Sequence, residues 1–227
     1  MTADQSLLIT ARYTDALGWA ADLHLDQRRQ GTDVPYISHV IAVSSLVWED
    51  GGSENQAIAA LLHDAIEDAG QNHASISLRF GVEVADIVFD CTDPGKNQGP
   101  NNSSSWLGCK QAFITTLEHK PESSLLVVAA DKAHNARDHL FDGRRDPTFW
   151  LRTPAGLLGW VWYFQKIHEL LDSRLPGSRS VELLGLAVRD LISLPEFALQ
   201  VPVGMDPSEW ASKAEGNLEK AVGLSQH

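Results

Sequence analysis

Apolar residues recur along this chain at intervals of three and four, and almost nowhere at intervals of two. That rhythm builds amphipathic helices and leaves no alternating run from which a half-buried strand could be made. Leu7, Leu8, Ala11, Ala16, Leu17, Ala20, Ala21 and Leu23 set the pattern, which predicts a first helix ending near Gly31. Val34-Pro35 restarts the chain, and Ile37, Ile41, Leu46 and Val47 lie on a second helix. Gly51-Gly52-Ser53 then gives a turn and a cap, with Glu54 in a first turn where a carboxylate favours the helix dipole. A third helix is expected to run unbroken from Ser53 to Asp68, stopping before Gly70.

Further helices are predicted over 75–80, 82–91, 106–119, 121–140 and 154–175, with a break at Asp142-Gly143 and Asp146-Pro147. The stretch from 92 to 105 is rich in Asp, Pro, Gly, Asn and Ser and reads as a loop. Two more helices, over 181–194 and 207–222, flank an irregular segment holding Pro195 and Pro202. The fold class is therefore all-α: a single helical bundle over residues 1–175, with additional C-terminal helices over 176–227.

At 227 residues the chain is long enough for one sizeable core. Its 18 Lys and Arg against 30 Asp and Glu give a formal net charge of −12, and no basic stripe could neutralise a run of phosphates. Nucleic acid and membrane are thus not expected partners, whereas a small anionic substrate stays open, since a few cations or one metal reverse the sign of a pocket. The longest apolar stretches, such as 125–130, fall far short of the ~20 residues that cross a bilayer. Asp4, Arg12 and Asp15 interrupt the N-terminal apolar residues, which is unlike a secretory leader and points to the cytoplasm. The two cysteines, Cys91 and Cys109, read as free thiols in that compartment.

Chemistry is concentrated in three strings. In His63-Asp64-Ala65-Ile66-Glu67-Asp68, a regular helix places the imidazole and all three acids on one arc of about 140°. Any one of these acids suits a solvated helix face, but three carboxylates within two turns repel one another unless a cation joins them. Asp131 follows the apolar run Leu125-Leu126-Val127-Val128-Ala129-Ala130 without a break, and a carboxylate entering from a buried run must be paired or ligated. A salt bridge to Lys132 or Arg137 would meet that need, and so would a metal; Asn135 lies one turn on, on the same face. Pro35-Tyr36-Ile37-Ser38-His39 adds an imidazole near a helix start. Taken together, His39, His63, Asp64 and Asp131 form a mixed nitrogen and oxygen set that suits Mn²⁺, Fe²⁺ or Zn²⁺, with positions left for water. Glu67 and Asp68 remain as spare acids, able to hold or deprotonate that water.

The four residues His39, His63-Asp64 and Asp131 match the signature of the HD-domain metal phosphohydrolases. The longer strings Gln27-Arg28-Arg29, Pro35 to His39, Ala60 to Asp68 and Asp131-Lys132-Ala133-His134-Asn135 resemble the alarmone hydrolase branch, comprising the hydrolase domain of RelA/SpoT enzymes and the small alarmone hydrolases. The resemblance covers about Leu7 to Leu171 and implies an HD-type hydrolase domain over 1–175, the extension over 176–227 having no implied role. It implies one Mn²⁺ per chain, other transition metals being open, held by His39, His63, Asp64 and Asp131, with Glu67 and Asp68 activating and orienting the attacking water. Asn135 then contacts the substrate sugar, Arg29 lies beside the nucleotide, Tyr163 packs near it, and Lys110, Lys132 and Arg137 are candidates to neutralise a pyrophosphate. The implied reaction removes the 3′-pyrophosphate of ppGpp or pppGpp, giving GDP or GTP. Gln30 and Gly159 stand where relatives carry basic residues, which leaves ppApp, NADPH or a broader phosphatase activity releasing orthophosphate as alternatives. Homo-oligomerisation is left open.

Overall fold

The structure, a computed structural model, describes residues 9–93 and 106–214. Most of the predicted 92–105 loop, and the end of the predicted 207–222 helix, lie outside the described residues. Helix α1 (Ala11–Leu23) starts at Thr10, whose side chain accepts from Arg12 N and whose backbone N–H donates to Glu54 at 2.5 Å. It stops eight residues before the expected Gly31. Val34 precedes a proline and is biased towards extended backbone. Residues 24–36 form a loop closed by an isolated bridge between Arg28 and Pro35, with Arg29 N donating to Val34 O and Tyr36 N to Gln27 O. Gly31, at φ +76°, supplies the left-handed turn inside that loop.

Helix α2 (Ile37–Glu49) follows as expected. Helix α3 (Glu54–Leu62) opens with a reciprocal capping box between Ser53 and Gln56. The predicted continuous helix to Asp68 is wrong in one respect: it breaks at His63-Asp64, and a short α4 (Ala65–Asp68) resumes after Asp64 at φ −95°, ψ 0°. Helices α5 (His73–Phe80) and α6 (Val82–Cys91) then flank Gly81.

Helix α7 (Trp106–Leu117) leads to α8 (Glu122–Arg145), a rod of 24 residues and about 36 Å. The break expected at Asp142-Gly143 does not occur. A Cβ on Gly143 would lie 2.5 Å from the Trp150 ring, so the glycine serves close packing inside a helix rather than a turn. A 3₁₀ turn (Pro147–Arg152), capped by Asp146, precedes α9 (Gly156–Arg174). The chain then forms α10 (Arg179–Ile192), α11 (Pro195–Ala198) and α12 (Pro207–Ser212).

Two apolar clusters flank α8. Val127 and Ala130 join the cluster built by α1 to α6, while Leu125, Val128, Ala129, Ala133, Ala136 and Leu140 join that of α7 to α12. Asp131 therefore leaves α8 at the seam between the clusters. Helix α10 buries Val181, Leu184, Val188 and Leu191 in the second cluster, each worth about 1.5–3 kcal/mol when fully covered. Its N-terminus is held by Asp50 at the end of α2, which accepts from Arg179 N, Ser180 N and Ser178 Oγ. Among the described residues there is no strand, and no helix is long and apolar enough to cross a membrane.

Candidate metal centre

A cavity of about 1010 Å³ opens at the seam. His63, Asp64, Glu67, Asp68, Asp131, Arg29, Lys110, Lys132, Asn135, Arg137 and Tyr163 all line it, and His39 lies buried immediately behind. The break after α3 matters here. Neighbouring positions on a regular helix diverge by about 100°, yet His63 Nε2 and Asp64 Oδ2 end 3.0 Å apart.

His39 Nε2 lies 3.3 Å from His63 Nε2, 3.2 Å from Asp131 Oδ1 and 3.8 Å from Asp64 Oδ2. Asp131 Oδ1 is 3.5 Å from His63 Nε2. The donor atoms of His39, His63 and Asp131 all fall within 4.8 Å of one another, and this group can hold a divalent metal. Asp64 stands outside that mutual set and reaches it through the two imidazoles.

Each ring has its other nitrogen engaged. His63 Nδ1 donates to the Ala60 carbonyl at 2.8 Å, which leaves Nε2 turned to the centre. His39 Nδ1 lies 3.0 Å from His134 Nδ1, and His134 in turn is 3.4 Å from Asp138 Oδ2. Tyr36 Oη donates to Asp64 Oδ2 at 2.5 Å. The sequence assigns no role to His134 or Tyr36; their place beside His39 and Asp131 in the chain is the only signal, because their use depends on distances between helices.

The charges are interdependent. Burial opposes charge on His63, but Asp64 and Asp131 outweigh it and raise its pKa well above the imidazole value. Burial dominates at His39 and lowers its pKa despite Asp131. At His134 burial, reinforced by His39, brings the pKa down to about 3. Burial also opposes charge on Asp131, yet Lys132 and both imidazoles hold its carboxyl well below the ordinary range. The Lys132 pairing weighed from sequence is present, with Nζ 2.5 Å from Asp131 Oδ2, and so is the metal-type cluster. Arg137, half exposed, does not join the pairing: its nearest carboxylate is Asp138 at 3.8 Å.

The other expected residues sit around this centre. Glu67 accepts from Asp93 N at 2.5 Å, and Asp68 accepts from Gln27 Nε2 at 3.1 Å. Asn135 Nδ2 donates to Asp131 Oδ1, while Arg29 bridges Asn135 Oδ1 and Asp138 Oδ2 at 2.8 and 3.0 Å. Lys110 pairs with Asp93 at 2.9 Å and lies 5.1 Å from the Tyr163 ring centre. Among the described residues the lining carries seven carboxylates against six Lys and Arg side chains. A divalent cation turns that balance positive.

Residues 16–147 match the HD domain family model. A guanosine-3′,5′-bis(diphosphate) 3′-pyrophosphohydrolase MESH1 of Xenopus tropicalis is 32% identical over 141 residues, spanning 61% of this chain and 72% of that protein. The human protein of the same name is 31% identical over 131 residues, 56% of this chain and 69% of that one. In fold, the chain is similar to a metazoan ortholog of SpoT that hydrolyses ppGpp, with a TM-score of 0.62 at 24% identity, covering 82% of this chain and 97% of the other.

Proposed function

The chain belongs to the HD-domain family and, within it, to the guanosine-3′,5′-bis(diphosphate) 3′-pyrophosphohydrolases, and from that premise we propose that it is a Mn²⁺-dependent (p)ppGpp 3′-pyrophosphohydrolase. The observation that carries this reading is the approach of His39, His63, Asp64 and Asp131 beside a cavity whose wall also presents Glu67 and Asp68. These four side chains would hold the divalent ion. When bound, the ion supplies Lewis acidity, lowering the pKa of water and offsetting charge on a phosphoryl oxygen.

The chain's own groups do the rest. Glu67 and Asp68 orient a water and take its proton as its oxygen bonds to the phosphorus attached to the 3′-oxygen. The P–O3′ bond breaks, the 3′-oxygen recovers a proton, and pyrophosphate leaves with the new oxygen. Lys110, Lys132 and Arg137 neutralise the pyrophosphate, Asn135 contacts the sugar, and Arg29 and Tyr163 flank the nucleotide. Catalysis belongs to residues 1–175; within the region that follows, α10 braces α8, supported by the Asp50 cap and the shared apolar cluster.

The test is incubation of purified protein with ppGpp and Mn²⁺. GDP and pyrophosphate are the expected products. No turnover of ppGpp or ppApp by protein with metal bound would reject the reading. Orthophosphate as sole product would indicate a broader phosphatase, and a parallel arm with NADPH reads the latitude suggested by Gln30 and Gly159.

A further inference from the structure

The loop between α1 and α2 grips the acids of the α4 segment at two points. Tyr36 Oη reaches Asp64, as described. Gln27 Nε2 donates to Asp68 Oδ2 at 3.1 Å, while Gln27 Oε1 lies 2.6 Å from His24 Nδ1. The two points are mechanically joined. The Gln27 carbonyl accepts from Tyr36 N at 2.9 Å, and the His24 and Tyr36 ring centres are 5.0 Å apart.

Hydrogen-bond polarity orders this chain of groups. An ionised Asp68 can only accept, so Gln27 must turn its NH₂ towards it. Oε1 then faces His24, whose Nδ1 must carry the ring hydrogen. His24 is 2% exposed, and its Nε2 is buried without a hydrogen-bond partner. A buried nitrogen left idle is costly, and since Nε2 has no acceptor for a hydrogen, the ring's hydrogen is satisfied only on Nδ1, against Gln27. Asp68 itself is exposed on the cavity wall.

We propose that His24 and Gln27 are positioning residues: His24 locks the Gln27 amide, and the amide holds the Asp68 carboxylate in one orientation towards the reacting water. The proposal rests on the reading of Asp68 given above. Fixing one reacting group lowers the cost of reaching the transition state without adding contacts to the ground-state substrate.

Steady-state kinetics with ppGpp and Mn²⁺, Mn²⁺ titration calorimetry and thermal melts on Q27A, H24F, H24N, D68N and Q27A/D68N test it. Q27A should lower kcat about three- to tenfold, with KM and Mn²⁺ affinity within about twofold of wild type. H24F should lower kcat in the same direction. H24N offers an amide N–H in place of Nδ1–H and should retain most of it. Q27A/D68N should be no slower than D68N. Independent losses in the double variant, or an unchanged kcat in Q27A, would overturn the proposal. Wild-type kcat in D68N would instead remove the reading of Asp68 on which it depends. A readout free of turnover is ¹⁵N-histidine NMR: the His24 hydrogen is expected on Nδ1, and an Nε2–H ring would also overturn it.

Discussion

Asp131→Asn removes one charge and almost no volume, so its cost can be worked out from contacts. Asp131 Oδ2 accepts from Lys132 Nζ at 2.5 Å, and Oδ1 accepts from Asn135 Nδ2 at 2.5 Å. Lys132 is only 15% exposed. Breaking a buried ion pair by removing one partner costs about 3–5 kcal/mol. Three features reduce this: an amide oxygen still accepts from Lys132, the ammonium stays 5.1 Å from the Phe113 ring centre, and the Glu67 carboxylate also acts on it. The expected loss in chelator is about 2–3 kcal/mol, a fall in Tm of about 4–12 °C for a chain of this size. Added Mn²⁺ separates the pairing role from ligation. Wild type should gain about 2.7 kcal/mol at an ion concentration 100 times Kd, and D131N should gain almost nothing. Calorimetric melts of both proteins, with D131N/K132M as a control that removes the stranded ammonium, measure each quantity. A D131N protein that keeps the full wild-type gain with Mn²⁺ would refute Asp131 as a ligand. One as stable as wild type in chelator would refute the pairing argument.

Glu67→Gln and Asp68→Asn should each lower kcat by about 10²–10⁴-fold while leaving Mn²⁺ affinity near wild type, as read by steady-state kinetics and calorimetry. Asp50→Ala removes the acceptor that holds three donors at the start of α10; urea denaturation should show a loss of about 1–2 kcal/mol. Stability should also depend on pH through His139, whose pKa burial brings down from 6.5 to about 4, against the Asn135 carbonyl that accepts from it. The unfolded chain takes up this proton first, so stability is full above pH 6.5 and falls as pH drops towards 4, by at most about 3 kcal/mol. Chelator-treated H139F should show a flatter profile in denaturation experiments, and an identical slope in both proteins would contradict the assignment.

The sequence disclosed most where an element's fate is decided locally. Helices α2, α5 and α6 follow from their own periodicity and flanking glycines. The ligand candidates stood out because Asp131 enters from an apolar run and the acids crowd beside His63. What stayed hidden depends on partners distant in the chain. Nothing within 142–143 says that Trp150 will pack on Gly143 and keep α8 helical. Beyond Leu23 the chain forms a loop closed by the Arg28 to Pro35 bridge, a pairing that a helical period cannot display. The break between α3 and α4 departs from the regular arc that periodicity predicts for His63 to Asp68, and it brings His63 Nε2 and Asp64 Oδ2 to 3.0 Å. His134, Tyr36 and Gln27 acquire their contacts to the site from the crossing of loop and helices, so no spacing rule could reveal them.

Crystals of wild-type protein grown with Mn²⁺, with data collected at the manganese absorption edge, address the central claim most directly. The expected result is one anomalous peak per chain within about 2.3 Å of His39 Nε2, His63 Nε2 and carboxylate oxygens of Asp64 and Asp131. A peak elsewhere at full occupancy, or these four side chains left without an ion at saturating Mn²⁺, would contradict it.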